Sequence, residues 1–216
     1  MSWSLSEIEG LARKAAKGAG YAWGMAEEAG KSVRFLCAAG LPGAEALAGL
    51  LQLNDTRDYA AYCPDCTQDI WSARTGPLCP VVTGAALCDR ATELGKGTTI
   101  TLKSTSFPLL LLPAIASASD LADAPLSLQW NGLRMTRADR ETWIETTAQA
   151  QNPAEKSDIT ITRSTSNSGT RVRRGYRGEI APDVTEILNV FAHRTYAPDT
   201  PESRLSGAGA GLTDND

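Results

Sequence analysis

Residues 126–137 read Leu126-Ser-Leu-Gln-Trp130-Asn131-Gly132-Leu133-Arg-Met-Thr-Arg137. Two alternating runs flank an Asn-Gly pair, the strongest short-range signal for an antiparallel hairpin. Pairing through that turn sets Trp130 opposite Leu133 and Leu128 opposite Met135. Gln129 and Arg134 then share the other face. Turn chemistry and face pattern agree, so an antiparallel sheet is expected in the second half of the chain.

Working outward, Ile100 and Leu102 alternate with Thr99, Thr101 and Lys103, as in a half-buried strand. Phe107 to Ala118 reads as a buried helix or a crossover. Thr142–Ala148 fits a third strand or a helix, and Asp158–Ser164 with Thr170–Tyr176 reads as a further strand pair. A helix is expected from Pro182 to about Thr195, with Val184, Ile187, Leu188 and Phe191 on its apolar face. Toward the N-terminus, Val81 to Leu94 reads as a strand leading into a helix. Residues 54–80 read as one long loop, interrupted by Pro64, Gly76, Pro77 and Pro80. Ahead of it, Ser4 and Glu7 form a capping box before Leu5, Ile8, Leu11, Ala12 and Ala15. Gly18 and Gly20 end this helix. A second runs from about Ala22 to Ala39, and a third carries Leu47, Leu50 and Leu51. The expected class is α+β, with N-terminal helices on a mostly antiparallel sheet and a C-terminal helix.

The 216 residues hold 21 Lys+Arg, 25 Asp+Glu and a single histidine, for a net charge of −4. One histidine excludes His₂ and His₃ metal sites within one chain. His193 falls about 160° from Phe191 on its helix, away from the buried stripe. The acidic balance argues against nucleic acid. The longest apolar block, around Leu109–Leu112, is bracketed by Pro108 and Pro113 and is too short to span a bilayer. No basic n-region or apolar h-region opens the chain, so a cytoplasmic protein is expected.

Three groups of residues could carry chemistry. Cys63, Cys66, Cys79 and Cys88 offer four thiolates for a structural zinc ion, although a zinc ribbon normally closes on a second short knuckle. A thioredoxin-like dithiol would need a strand before Cys63 and a helix after it. The third reading is that the thiols are small buried hydrophobes. Arg163, Arg171, Arg173, Arg174 and Arg177 fall within fifteen residues that contain no Asp or Glu. In a strand, Arg171 and Arg173 share one face and Arg174 the other. Such a face suits an anionic small molecule or an acidic partner, or else a solvated edge strand. The third group is acidic. Glu27 and Glu28 lie outside the apolar stripe of the second helix, near Trp23 as a stacking surface. They are candidate acid–base groups or a solvated face with a Glu27–Lys31 ion pair. Asp214 and Asp216 offer Asp-x-Asp oxygens for a hard cation or paired carboxylates, in a stretch that otherwise reads as a surface tail.

Several segments together resemble a family of small bacterial proteins classed only as a domain of unknown function. They are Ser4-Leu-Ser-Glu-Ile-Glu with Ala12-Arg-Lys-Ala-Ala, and Gly18-Ala-Gly-Tyr-Ala-Trp-Gly-Met-Ala-Glu-Glu-Ala-Gly30. Thr195-Tyr-Ala-Pro, joined to Glu202-Ser-Arg-Leu-Ser-Gly-Ala-Gly-Ala-Gly-Leu-Thr-Asp-Asn-Asp216, completes the set. The resemblance implies one domain over 1–216, with 198–216 as a tail, in a bacterial cytosolic protein. It implies no activity. It draws attention to Trp23–Glu28 and to Ser203–Asp216, where Ser203 and Arg204 become candidate ligand contacts. The functional expectation is a binding protein or enzyme for an anionic small molecule. The alternatives are a partner-binding or assembly protein docking through the arginine face, and a zinc-stabilised scaffold.

Overall fold

A computed structural model describes residues 2–146 and 156–196. A short strand β1 (Ser2–Ser4) leads into α1 (Leu5–Gly18). The expected capping box is present: the Glu7 N–H donates to Ser4 Oγ at 3.2 Å, and the Ser4 N–H donates to Glu7 Oε2 at 2.8 Å. Next come α2 (Trp23–Ala38) and α3 (Gly43–Asn54). The facing residues of α1 and α2 are small and buried, among them Ala12, Ala16, Ala26 and Ala29. A Cβ on Gly30 would lie 3.0 Å from the Glu9 carbonyl, so the two helices meet nearly backbone to backbone.

Residues 54–80 are largely irregular, as expected, but hold one turn of helix, α4 (Tyr59–Tyr62), and a two-residue strand, β2 (Ile70–Trp71). The fully buried Trp71 ring pins this segment to the core. The strand expected after Val81 is absent. Pro80 instead starts α5 (Pro80–Asp89), and α6 (Ala91–Gly95) follows. Proline at the first helical position costs no hydrogen bond and presets φ, which settles the ambiguity in favour of helix. β3 (Ile100–Thr105) leads through a 3₁₀ turn (Pro108–Leu111) into α7 (Leu112–Ala122).

The hairpin β4 (Leu126–Trp130) and β5 (Leu133–Ala138) has the expected register: Trp130 faces Leu133, Leu128 faces Met135 and Gln129 faces Arg134. β6 (Glu141–Thr146) continues the meander. β7 (Ser157–Arg163) then inserts antiparallel between β3 and β4, giving the order β2-β3-β7-β4-β5-β6. β8 (Thr170–Arg171) closes the far edge beside β6. The expected pairing of 158–164 with 170–176 is therefore wrong. β7 carries buried Ile159 and Ile161 and belongs in the sheet interior, whereas the arginine-rich segment is exposed and can only sit at an edge. Among the described strands of this sheet, only β2 and β3 run parallel.

Finally, β9 (Arg177–Glu179) pairs with β1, and α8 (Pro182–His193) returns to lie on α1. Helices cover the sheet face that carries Leu126, Leu128, Met135, Ile159 and Ile161, with α7 against β4 and β5. The buried apolar side chains form one cluster from Ile8 in α1 to Ala192 in α8. No described helix is long and apolar enough to cross a membrane.

Candidate functional site

The structure separates the arginines that the sequence groups together. Arg171 is ion-paired with Glu141. Arg174 lies over the Phe35 ring, 4.7 Å from its centroid, and burial lowers its pKa, with the Arg137 charge adding to the effect. Arg177 reaches back to β1, donating to Ser2 Oγ and to the Ser2 carbonyl, each at 2.8 Å. Arg171 and Arg173 both line an open cleft of about 430 Å³, together with Leu41, Ile144 and Val172. Arg171 and Arg173, expected on one face, share this cleft, whereas Arg174 and Arg177 turn to other partners and the strand itself ends at Arg171.

The helix carboxylates are exposed. Lys31 bonds Glu28 at 2.7 Å, three positions away, and not Glu27. Glu28 rims a small pocket of about 70 Å³ between α2, α5 and α7, and Cys88 shares it. Burial first, then the charge of Glu28, pushes the Cys88 thiol up to about 11. Trp23 is 60% exposed, with Lys17 Nζ 5.2 Å above its ring. The remaining candidates, Ser203, Arg204, Asp214 and Asp216, lie outside the described residues.

The four cysteines are not gathered round one point. Cys63 donates to the Tyr59 carbonyl at 3.1 Å, and Cys66 to the Pro64 carbonyl at 3.8 Å. Cys88 points to the Ala114 carbonyl. Cys79 is buried at the start of α5, where it receives backbone N–H groups from Val82 and Val81. Its sulfur also lies 3.3 Å from the Tyr21 hydroxyl. Among the described residues, no three His, Cys, Asp or Glu side chains are placed to hold a metal ion.

A different place collects complementary chemistry. α8 crosses α1 closely: a Cβ on Gly18 would fall 1.8 Å from the Phe191 carbonyl oxygen. Beside this contact the helices splay into a groove of about 420 Å³. Trp3, Glu7, Arg13, Lys14, His193 and Tyr196 line it, together with Asn189. His193 is exposed, as its helical position predicts, and its ring meets Tyr196 edge-on at 5.4 Å. Lys14 Nζ stands 5.8 Å from the Tyr196 ring centroid. Among the described residues neither Lys14 nor Arg13 has a carboxylate partner. Glu7 is already engaged, since Ser4 and then Arg177 hold its carboxyl below the usual range. The Trp3 indole N–H is buried with no acceptor. Such orphan donors are rare in folded proteins.

Sequence reasoning missed this groove because its two walls lie about 180 positions apart in the chain. One signal was present. Glu7, Gly10 and Lys14 form a second stripe on α1, off the apolar face, with a glycine where a side chain would fill the groove.

Comparison with curated proteins yields no match. Residues 3–76 match the family model described as "Protein of unknown function (DUF3726)". The matched segment starts at Trp3, includes the α1 wall of the groove and continues through α2 and α3 into the irregular segment that follows.

Proposed function

We propose that this protein binds an anionic small molecule with a flat or apolar body in the groove between α1 and α8. The observation that carries the reading is the pair of cations, Arg13 and Lys14, beside the rings of Trp3, His193 and Tyr196. Guanidinium and ammonium groups bind carboxylate or phosphate, and rings on the same wall shield an apolar body from water. The reading is one of binding and assigns no reaction.

A thermal-shift screen with aromatic carboxylates, aliphatic carboxylates and organic phosphates tests it. A true ligand at about a hundred-fold excess over Kd stabilises by ~2.7 kcal/mol. For a chain of this size that corresponds to a shift of about 5–10 °C. The double variant Arg13→Ala, Lys14→Ala loses the shift, while Arg171→Ala, Arg173→Ala keeps it. The opposite pattern would move the anion to the cleft at Arg173. No shift with any compound would reject the reading.

A further inference from the structure

The Cys63-Pro64-Asp65-Cys66 segment is neither part of a metal site among the described residues nor arranged like an oxidoreductase. A catalytic dithiol sits at the start of a helix that follows a strand. Here Cys63 follows the single turn α4, and the chain after Cys66 is irregular. Yet Cys63 and Cys66 differ from the other thiols. Cys37 and Cys79 are buried, and Cys88, partly buried like Cys63 and Cys66, stands on α5 and donates to the Ala114 carbonyl of α7. Cys63 and Cys66 are only partly buried and share one surface loop, with two residues between them.

The loop is fixed around the pair and not through it. Asp65 Oδ1 accepts from the Thr67 N–H at 3.0 Å and from Thr67 Oγ1 at 2.8 Å. The Asp65 N–H donates to the Ser72 carbonyl, and Pro64 bridges to Ala73. Arg90 Nη1 donates to the Cys66 carbonyl at 3.3 Å, which brings a guanidinium to the Cys66 end of the segment. Each thiol donates to a carbonyl of its own segment, and Cys63 also bonds the exposed Tyr59 side chain. Oxidation therefore removes no contact on which the core depends.

We propose that Cys63 and Cys66 form a reversible thiol–disulfide modification site whose co-reactant is a low-molecular-weight disulfide. The Cys66 thiolate, beside the Arg90 cation, attacks one sulfur of the small disulfide and expels the first small thiolate. Cys63 then gives its proton to solvent and attacks Cys66 Sγ, expelling the second. The protein loses two electrons and two protons, and the small disulfide gains them as two thiols. Burial raises both thiol pKa values; Tyr59 lowers that of Cys63, and Arg90 lowers that of Cys66 against Asp65, Asp89 and Cys63, so it is the Arg90 contact at Cys66 that places the first attack there.

The tryptic map makes the test direct. Cys63 and Cys66 share the peptide 58–74, whereas Cys79 and Cys88 share 75–90. The full chain is incubated with glutathione disulfide, quenched with an alkylating agent under denaturing conditions, digested and weighed. The expected product is an unalkylated 58–74 peptide lighter by two hydrogens, which dithiothreitol restores, with Cys37, Cys79 and Cys88 fully alkylated. The Cys63→Ser variant should stop at one glutathionyl group on Cys66. Two alkylated cysteines in 58–74 after glutathione disulfide would overturn the proposal. So would a cross-link between 58–74 and 75–90, or a Cys63→Ser chain that carries no adduct.

Discussion

Tyr21 shows how much one side chain organises. It sits between α1 and α2, and its hydroxyl accepts from Asn54 Nδ2 at 3.1 Å at the end of α3. The same hydroxyl meets Cys79 at the start of α5, while Arg57 Nη1 holds Asn54 Oδ1 at 3.0 Å. Three segments thus converge on one buried oxygen, and Arg57 braces the amide that bonds it. Burial, reinforced by the neighbouring Cys79, raises the Tyr21 pKa and keeps the phenol neutral. The Tyr21→Phe variant retains the ring but leaves the Asn54 amide and the Cys79 thiol without that partner. Abandoned buried polar groups cost about 1–3 kcal/mol, so the unfolding free energy should fall by that amount, read in urea as a lower midpoint with an unchanged slope. The sequence could not show this network. Tyrosine, asparagine and cysteine at positions 21, 54 and 79 have no periodicity in common, and only tertiary packing brings them together.

Helices and strands were legible where local chemistry was sufficient. The capping box at Ser4 and the Asn131-Gly132 turn are complete within a few residues, and both formed as expected. The second hairpin turn, Asp139-Arg140, was missed because it contains no glycine. Both residues take positive φ, at 49° and 60°, where aspartate is tolerated and arginine is strained. Strand order was also illegible, since six residues carry the chain from β7 past β4, β5 and β6 to β8. The α1–α8 groove escaped for the same reason: each helix is readable alone, but their contact is not. Docking of α8 rests in part on Arg194, which clamps both oxygens of Asp55 at 2.7 and 3.0 Å. Hydrogen bonding to Arg194 lowers the Asp55 pKa. The ionised carboxylate therefore favours the folded chain at neutral pH. That contribution is complete above the ordinary carboxylate range and is lost as pH falls through the lowered value. Melting curves of the Asp55→Asn variant should lie below wild type at pH 7 and converge with it in acid, once the pH has fallen below the lowered value. A gap that persists in acid would show that the pair acts through packing and not through charge.

Across the whole molecule, the first and last described elements close on each other. β1 pairs with β9, Arg177 grips Ser2, and α8 lies along α1. The proposed binding groove is a by-product of this closure, so its shape depends on how closely α8 can approach. Gly18 sets that distance. In an exposed helix interior, replacing glycine with alanine should stabilise by about 1 kcal/mol, because alanine loses less backbone entropy. At Gly18 the sign should reverse. The new methyl group would lie 1.8 Å from the Phe191 carbonyl oxygen, and a backbone atom cannot rotate away as a flexible side chain could. Relief requires α8 to move off α1, an overpacking cost of about 1–3 kcal/mol. The Gly18→Ala variant should therefore melt several degrees below wild type. If the groove is the binding site, its ligand-induced shift should also shrink, because His193 and Tyr196 move away from Arg13 and Lys14. For the melting temperature of the unliganded protein, Gly10→Ala is the matched control, since a Cβ there meets nothing within 4 Å. That variant should keep or raise the melting temperature. Equal behaviour of the two variants would mean that α8 does not rest on the backbone of α1.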